Sequence, residues 1–176
     1  MDTFRIRTAT SEDAEAIARV QIDTWRSTYR GIVPDEHLAS LSLDQGRERW
    51  RTGLSTGSTM TVFVAENKSG RVVGFAACGP VRESEKEYAG ELYAIYVIKE
   101  SQGAGVGRML CGEVAKDLKR RGLDTMLIWV LAQNPFSGFY EKLGGQRVRI
   151  RDITLGGRTL TEWGYGWKSL DALIHG

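Results

Sequence analysis

Glu91-Leu92-Tyr93-Ala94-Ile95-Tyr96-Val97 and, after four intervening residues, Gln102-Gly103-Ala104-Gly105-Val106-Gly107-Arg108 carry a strand into a glycine-rich turn. The first segment has the aromatic and β-branched make-up of a strand. Beyond the turn, Val106, Met109, Leu110, Val114 and Leu118 recur at helical spacing, Lys119, Arg120 and Arg121 complement the C-terminal dipole, and Gly122 suits the position after the helix. Thr125 to Leu131 is then a near-continuous apolar run, which predicts a strand covered on both faces and, with the helix as crossover, parallel to the first. Where a strand meets a helix N-terminus, exposed backbone N–H groups and the helix dipole bind an anion such as a pyrophosphate, and glycine lets it approach. The same glycines equally suit a plain tight turn. G-x-G-x-x-G fails because position 108 is Arg108, and Gly-Lys-Ser/Thr is absent. Asp124 has about the offset of a ribose-binding acid but precedes the next strand instead of ending it.

Working outward, Met60 to Glu66 alternates with period two, Asn67-Lys68-Ser69-Gly70 is a hairpin turn, and Arg71 to Cys78 returns as a strand. Phe4 and Ile6 alternate with Arg5 and Arg7 in a short half-buried strand. Thr10 with Asp13 forms a capping box ahead of a helix carrying Ala14, Ile17, Val20, Trp25 and Tyr29, ended by Gly31. Pro34-Asp35-Glu36 starts a second helix, and Leu43 to Leu54 gives a further charge-rich turn or two. Arg82 to Glu87 reads as a solvated loop. Asn134 and Pro135 open a short helix with Phe136, Phe139, Tyr140 and Leu143 on one face, closed by Gly144-Gly145. Gly156-Gly157 is the tightest hairpin signal, between strands over Gln146 to Leu155 and Arg158 to Trp167. The pattern predicts one α/β (α+β) domain, 1–176, with a central mixed, mostly antiparallel twisted sheet and helices on both faces. There is no internal repeat.

The 176 residues include 24 Lys+Arg and 22 Asp+Glu, a formal charge of +2, so the concentrated basic face that a nucleic acid polymer needs is not indicated. No run approaches the roughly 18 apolar residues of a spanning helix, and no leader pattern stands at the N-terminus. A cytoplasmic enzyme is the simplest reading. Cys78 and Cys111 have no CxxC or histidine partner, His37 and His175 lie far apart, and no metal site is written. Both cysteines read as small buried hydrophobes. The 21 glycines, about 12% of the chain against a usual level of roughly 7%, are in part the three at 103, 105 and 107.

With the segment that follows, the loop resembles the GNAT superfamily of acetyl-CoA-dependent N-acetyltransferases. Its signature, Gln/Arg-x-x-Gly-x-Gly/Ala, is matched by Gln102, Gly105 and Gly107 after a strand ending in Tyr96-Val97. A second family segment, an Asn after the next strand and a Tyr on the following helix, is matched by Asn134 and Tyr140. The resemblance is strongest over 60–145, which it implies is the acetyl-CoA-binding core. It makes 1–56 an acceptor-side strand and helices and 146–176 a C-terminal hairpin. It departs at the N-terminal helices, which vary between subfamilies.

The resemblance implies direct attack of an amine on the bound thioester, without a covalent acyl-enzyme. By it, Gln102 and the N–H groups of Gly103, Ala104, Gly105, Val106, Gly107 and Arg108 hold the pyrophosphate. Backbone at Ile95, Tyr96 and Val97 binds the pantetheine arm, with the Val97 N–H at the carbonyl oxygen, and Asn134 bonds the pantetheine or the catalytic region. Tyr140 is the general acid for the leaving thiolate, and Glu91 the candidate base. Trp25, Tyr29 and Arg30 line the acceptor pocket. Plainer readings stand beside these: Tyr140 as a core aromatic, Glu91 as a solvated carboxylate, Asn134-Pro135 as a turn, Trp25 as packing. Acetyl-CoA and an amine are the expected partners. Trp163, Tyr165 and Trp167 offer apolar surface for a homodimer. The alternatives are an acyl-CoA-binding sensor without catalysis, and a protein or aminoacyl-tRNA acceptor.

Overall fold

The computed structural model describes residues 3–55, 57–83 and 86–175. Its strands β1 (Arg5–Thr8), β2 (Thr61–Glu66), β3 (Val72–Pro80), β4 (Gly90–Val97), β5 (Met126–Leu131), β6 (Gln146–Leu155) and β7 (Arg158–Trp167) form one sheet in the order β1-β2-β3-β4-β5-β7-β6. Every neighbouring pair is antiparallel except β4 with β5. The helices are α1 (Ala14–Thr28), α2 (Asp35–Ser40), α3 (Leu43–Gly53), α4 (Val106–Arg120), α5 (Ser137–Lys142) and α6 (Asp171–His175).

Successive strand residues face opposite sides, and β3 shows which helices cover which face. The Phe75 ring meets Trp50 of α3 at 5.0 Å, while a Cβ on its neighbour Gly74 would stand 3.5 Å from Leu110 of α4. Helices therefore lie on both faces, and β3 is buried at every position but Pro80. Ile17, Phe75, Leu92, Leu110, Leu118 and Met126 are fully buried in this core.

The β4–β5 pair sets the site. It is hydrogen-bonded in register only at Gly90↔Met126 and Glu91↔Leu127, then opens. On its other edge β4 shifts register against β3, Ala77 opposing Ala94 and Cys78 opposing Leu92, which leaves Tyr93 as the extra residue. Such a bulge bends its strand, and this one falls just beyond the last paired position.

The expected mixed sheet with two helical faces is present. Three details differ. α3 runs from Leu43 to Gly53, longer than a turn or two, because Ser42 caps it by accepting from the Gln45 N–H at 3.3 Å. α6 was not foreseen; it docks on α4 with Leu173 buried and Lys119 paired to Asp171 at 2.5 Å. Arg82 to Glu87 is tied down where it is described: Arg82 binds Glu91, Glu83 binds Arg151, and Glu87 binds Arg149 and Lys168. Ser84 and Glu85 lie outside the described residues.

Two of the three aromatics proposed for pairing two subunits are not on the outside, and Trp163 is half-buried. Tyr165 and Trp167 are buried within their own chain. Tyr165 stacks on Tyr140 at 5.5 Å, and the Trp167 indole donates to the Leu143 carbonyl at 2.9 Å. Alternation with Gly164 and Gly166 turns all three aromatics to one face, where α5 and the residue after it cover Tyr165 and Trp167 and the Arg147 guanidinium lies over Trp163 at 4.6 Å. Both cysteines are buried and free, with their thiols pushed up to about 12 by burial. Among the described residues no helix is long and apolar enough to cross a membrane, and no His, Cys, Asp and Glu gather as a metal centre needs.

Candidate active site

Where β4 and β5 part, a cavity of about 610 Å³ opens. Its walls come from β4 (Tyr93 to Val97), β5 (Ile128 to Val130), the 101–108 turn, α1 (Thr24, Thr28), Tyr29, Asn134 and α5 (Phe139, Tyr140). Strand geometry supplies donors on the β4 side. Ile98 N–H bonds Val73 O on β3 at 2.9 Å, so the N–H and C=O of Val97 point the other way, into the opening. The Gln102 side chain donates to that Val97 carbonyl at 2.9 Å. The acceptor is thus taken and the Val97 N–H is left facing the cavity.

At one end stands the glycine turn. Gly103 and Gly105 have φ of +75° and +85°, a left-handed backbone that costs another L-residue about 1–2 kcal/mol. In front of both is open space, where an added Cβ would meet nothing within 4 Å. Gly107 is glycine for another reason, since a Cβ there would come within 3.0 Å of the Phe139 ring. The first amide of this segment with a bond inside α4 is Met109, to Gly105 O at 3.1 Å. Among the described residues the N–H groups from Gly103 to Arg108 have no acceptor. Six orphan donors at the N-terminus of a 15-residue helix fit the phosphates of a nucleotide.

At the other end, Tyr140 lies 7% exposed between Tyr165 and Phe139. Burial, then the nearby Tyr29, Cys111 and Tyr96, push its hydroxyl well above the ordinary value of 10, so it is protonated at neutral pH. Asn134 makes an Asx turn: its Oδ1 accepts from Phe136 N–H at 2.8 Å, and the residue sits ahead of α5, which starts at Ser137. Its Nδ2 donates to the Tyr29 hydroxyl at 3.2 Å. Burial raises the Tyr29 and Tyr96 hydroxyls too, Tyr96 to about 12.

Of the residues expected from sequence, Ile95, Tyr96, Val97, Gln102, Gly103, Gly105, Val106, Gly107, Arg108, Asn134, Tyr140 and Tyr29 line this one cavity. Ala104 is exposed between its glycines and reaches the site only by its backbone. Three expectations are corrected. Glu91 does not line the cavity: it is 2% exposed, and Arg82 holds both its oxygens, Oε2 from the backbone N–H at 2.9 Å and Oε1 from the guanidinium at 2.5 Å. Arg30 is exposed and faces a shallow surface hollow with Arg26 and Asp35, because the chain has left α1 before it. Trp25 packs behind Tyr29, edge to face at 5.0 Å, and is not a wall.

Sequence reading missed Thr24, Tyr93, Trp129 and Phe139 as walls. Phe139 was seen only as an apolar helix position, and Tyr93 enters through a bulge that no local signal marks. Thr24 is one helix position from Trp25, and its Oγ1 is buried without a hydrogen-bond partner.

Comparison with known proteins agrees with this geometry. Residues 19–145 match the Acetyltransferase (GNAT) family, and the chain belongs to it. It is 40% identical over 168 residues to the uncharacterized N-acetyltransferase YuaI of Bacillus subtilis (strain 168), covering 96% of this chain and 95% of the relative. Among solved structures it resembles YncA, a putative acetyltransferase from Salmonella typhimurium with its cofactor acetyl-CoA, at 23% identity and TM-score 0.70, covering 96% and 95% of the two chains. It also resembles the PaiA N-acetyltransferase of Thermoplasma acidophilum in complex with coenzyme A, at 22% identity and TM-score 0.68, covering 91% and 98%. The chain is an N-acetyltransferase of this family, with acetyl-CoA as its cosubstrate.

Proposed function

We propose that this chain moves the acetyl group of acetyl-CoA to a primary amine of a small molecule or peptide, by direct attack within a ternary complex. The observation that carries the reading is that one cavity holds the orphan N–H groups of Gly103 to Arg108, the Val97 N–H and the Tyr140 hydroxyl. Acetyl-CoA supplies the activated thioester. The glycine turn binds the pyrophosphate through its N–H groups, with the α4 dipole behind them. The Val97 N–H donates to the carbonyl oxygen, where negative charge grows as the amine attacks. The amine attacks as the free base; a C–N bond forms and the C–S bond breaks, the Tyr140 O–H gives its proton to the departing sulfur, and the proton shed by the nitrogen passes to water, from which Tyr140 is reprotonated. A thiol of this type has a pKa of about 8.5, so protonation completes the step at neutral pH.

Tyr29 and Asn134 connect the α1 side to the start of α5, which fixes the wall around the reacting atoms. Tyr29 supports acceptor binding here; Trp25 supports it from behind; Glu91 and Arg30 have no part in it.

Isothermal titration with acetyl-CoA, followed by free-thiol release across a panel of primary amines, tests the proposal. Saturable binding and amine-dependent thiol release are expected. Binding without release for any amine would instead favour a sensor.

A further inference from the structure

Tyr29 and Asn134 both line the cavity, and the hydrogen bond between them fixes what each still has to offer. A backbone N–H only donates, so the Asn134 atom that meets the Phe136 N–H at 2.8 Å is the oxygen, and the atom at the Tyr29 hydroxyl is the nitrogen. The Tyr29 oxygen therefore accepts, at 3.2 Å, and its own proton is turned elsewhere. Among the described residues nothing accepts that proton. Burial raises the hydroxyl well above its ordinary value of 10, so at neutral pH the proton stays on. In the acetyltransferase reading the thioester carbonyl has the Val97 N–H. The Tyr29 O–H, just past the end of α1, is then left for an oxygen of the second substrate.

The charges of the wall bear on how the nitrogen of that substrate arrives. Among the described lining residues the charged ones are Arg108 and Lys142. Arg108 directly follows Gly107 of the glycine turn, and Lys142 lies three residues along α5 from Phe139, whose ring packs on Gly107. The α1-side and sheet side chains Thr24, Thr28, Tyr29, Tyr93 and Trp129 bring hydroxyls and rings instead. A wall of this kind takes the amine as its free base. At pH 7.5 about a third of an amine of pKa about 7.8 is in that form, against roughly one part in a thousand at a pKa of about 10.4. A carbonyl one carbon from the nitrogen lowers the amine pKa into the first range, and it also carries the oxygen that Tyr29 lacks.

We propose that the acceptor is an α-amino carbonyl compound, with Tyr29 as the specificity-determining residue whose O–H donates to the carbonyl oxygen while the nitrogen attacks the thioester. The inference rests on the acetyltransferase reading above and names the class of its second substrate. The bonds made and broken and the proton movements are those already given. Tyr29 adds a hydrogen bond that orients the amine, and Asn134 holds the hydroxyl in place for it.

The test uses the full chain at pH 7.5 and follows thiol release from acetyl-CoA with four amines. Glycinamide has both the carbonyl and the lowered pKa, 2,2-difluoroethylamine has the lowered pKa alone, and propylamine has neither. The amide of glycyl-alanyl-alanine shows whether a peptide or a free amino amide is the better source of the carbonyl. With the wild type, kcat/KM for the better of the two carbonyl amines should exceed that of propylamine about tenfold or more, and that of difluoroethylamine about threefold or more. Tyr29→Phe keeps the ring and removes the hydroxyl. It should raise the KM of the carbonyl amine about tenfold, while the KM of difluoroethylamine and the affinity for acetyl-CoA change less than about twofold. A loosened wall would weaken both amines alike, so equal changes overturn the role of Tyr29, as does a loss confined to acetyl-CoA affinity. Should Tyr29→Phe not fold, the wild-type panel decides: propylamine or difluoroethylamine matching the carbonyl amines overturns the proposal. Turnover of no amine at all would instead remove the reading beneath it.

Discussion

The Asn134 side-chain amide donates to the Tyr29 hydroxyl at 3.2 Å, joining residues 105 apart in sequence. Its other end is also used, Oδ1 accepting from Phe136 N–H at 2.8 Å. One side chain therefore ties the end of α1 to the approach to α5. Asn134→Ala removes both bonds and leaves a buried hydroxyl without its donor, a loss of about 1–3 kcal/mol. Thermal unfolding should fall by roughly 2–4 °C per kcal/mol, and kcat should fall with it. An unchanged melting temperature would show that the turn holds without the amide.

Tyr140→Phe keeps the stacking on Tyr165 and removes only the hydroxyl. The expected result is a fall in kcat of about tenfold or more, with acetyl-CoA affinity nearly unchanged. Because burial raises the Tyr140 hydroxyl well above 10, the wild-type rate should climb as the amine loses its proton and show no falling limb before about pH 10. A stopped-flow pH series on both proteins checks the two points together.

Two glycine substitutions separate backbone strain from packing. Gly105→Ala forces a left-handed conformation on alanine, about 1–2 kcal/mol, and should weaken acetyl-CoA binding roughly tenfold. Gly107→Ala presses on Phe139 instead, next to Tyr140 on α5, and should lower kcat more than it weakens binding. Titration calorimetry beside steady-state rates reads the contrast; identical profiles for the two variants would refute it.

Glu91→Gln disturbs the carboxylate that Arg82 encloses. Stability should drop by about 1–3 kcal/mol, measured by denaturant midpoint, while the pH–rate profile keeps its shape. A loss confined to low pH would return Glu91 to the role of base.

Asp13 is hydrogen-bonded by Arg7 and by the Thr10 N–H at 2.8 Å, and the Arg7 bonds hold its carboxyl below the ordinary 3.8. A lowered folded pKa stabilises fully above the unfolded value. That stabilisation fades as pH falls through the folded one. Asp13→Asn should therefore lose more stability at pH 7 than at pH 2, in urea titrations at both. Equal losses at the two pH values would assign the residue a capping role alone.

What the chain discloses in one dimension follows the range of the forces involved. The strand, turn and helix from Glu91 to Arg120 are written in local periodicity and in glycines whose φ is a local property, and they are where the sequence predicts them. Asn134 and Tyr140 were legible only through the family resemblance of their segment, and the structure brings both to the cavity wall. Glu91 was misplaced because strand position says nothing of which cation encloses a carboxylate, and Arg82 comes from a preceding loop. Tyr165 and Trp167 read as exposed because their partners, Tyr140 and the Leu143 carbonyl, are more than twenty residues away in sequence, and the short helix was legible but not the face it docks on.

The parting of β4 from β5 gives this protein a strand edge in the middle of a sheet. Edges at the margins of a sheet invite other chains to add on, and here the margins are blunted. β1 is four residues long, and β6 carries Arg147, Arg149 and Arg151. The inner edge is walled by α1 on one side and α5 on the other. The opening that the cavity uses and the margins that face other chains are thus different edges of the same sheet.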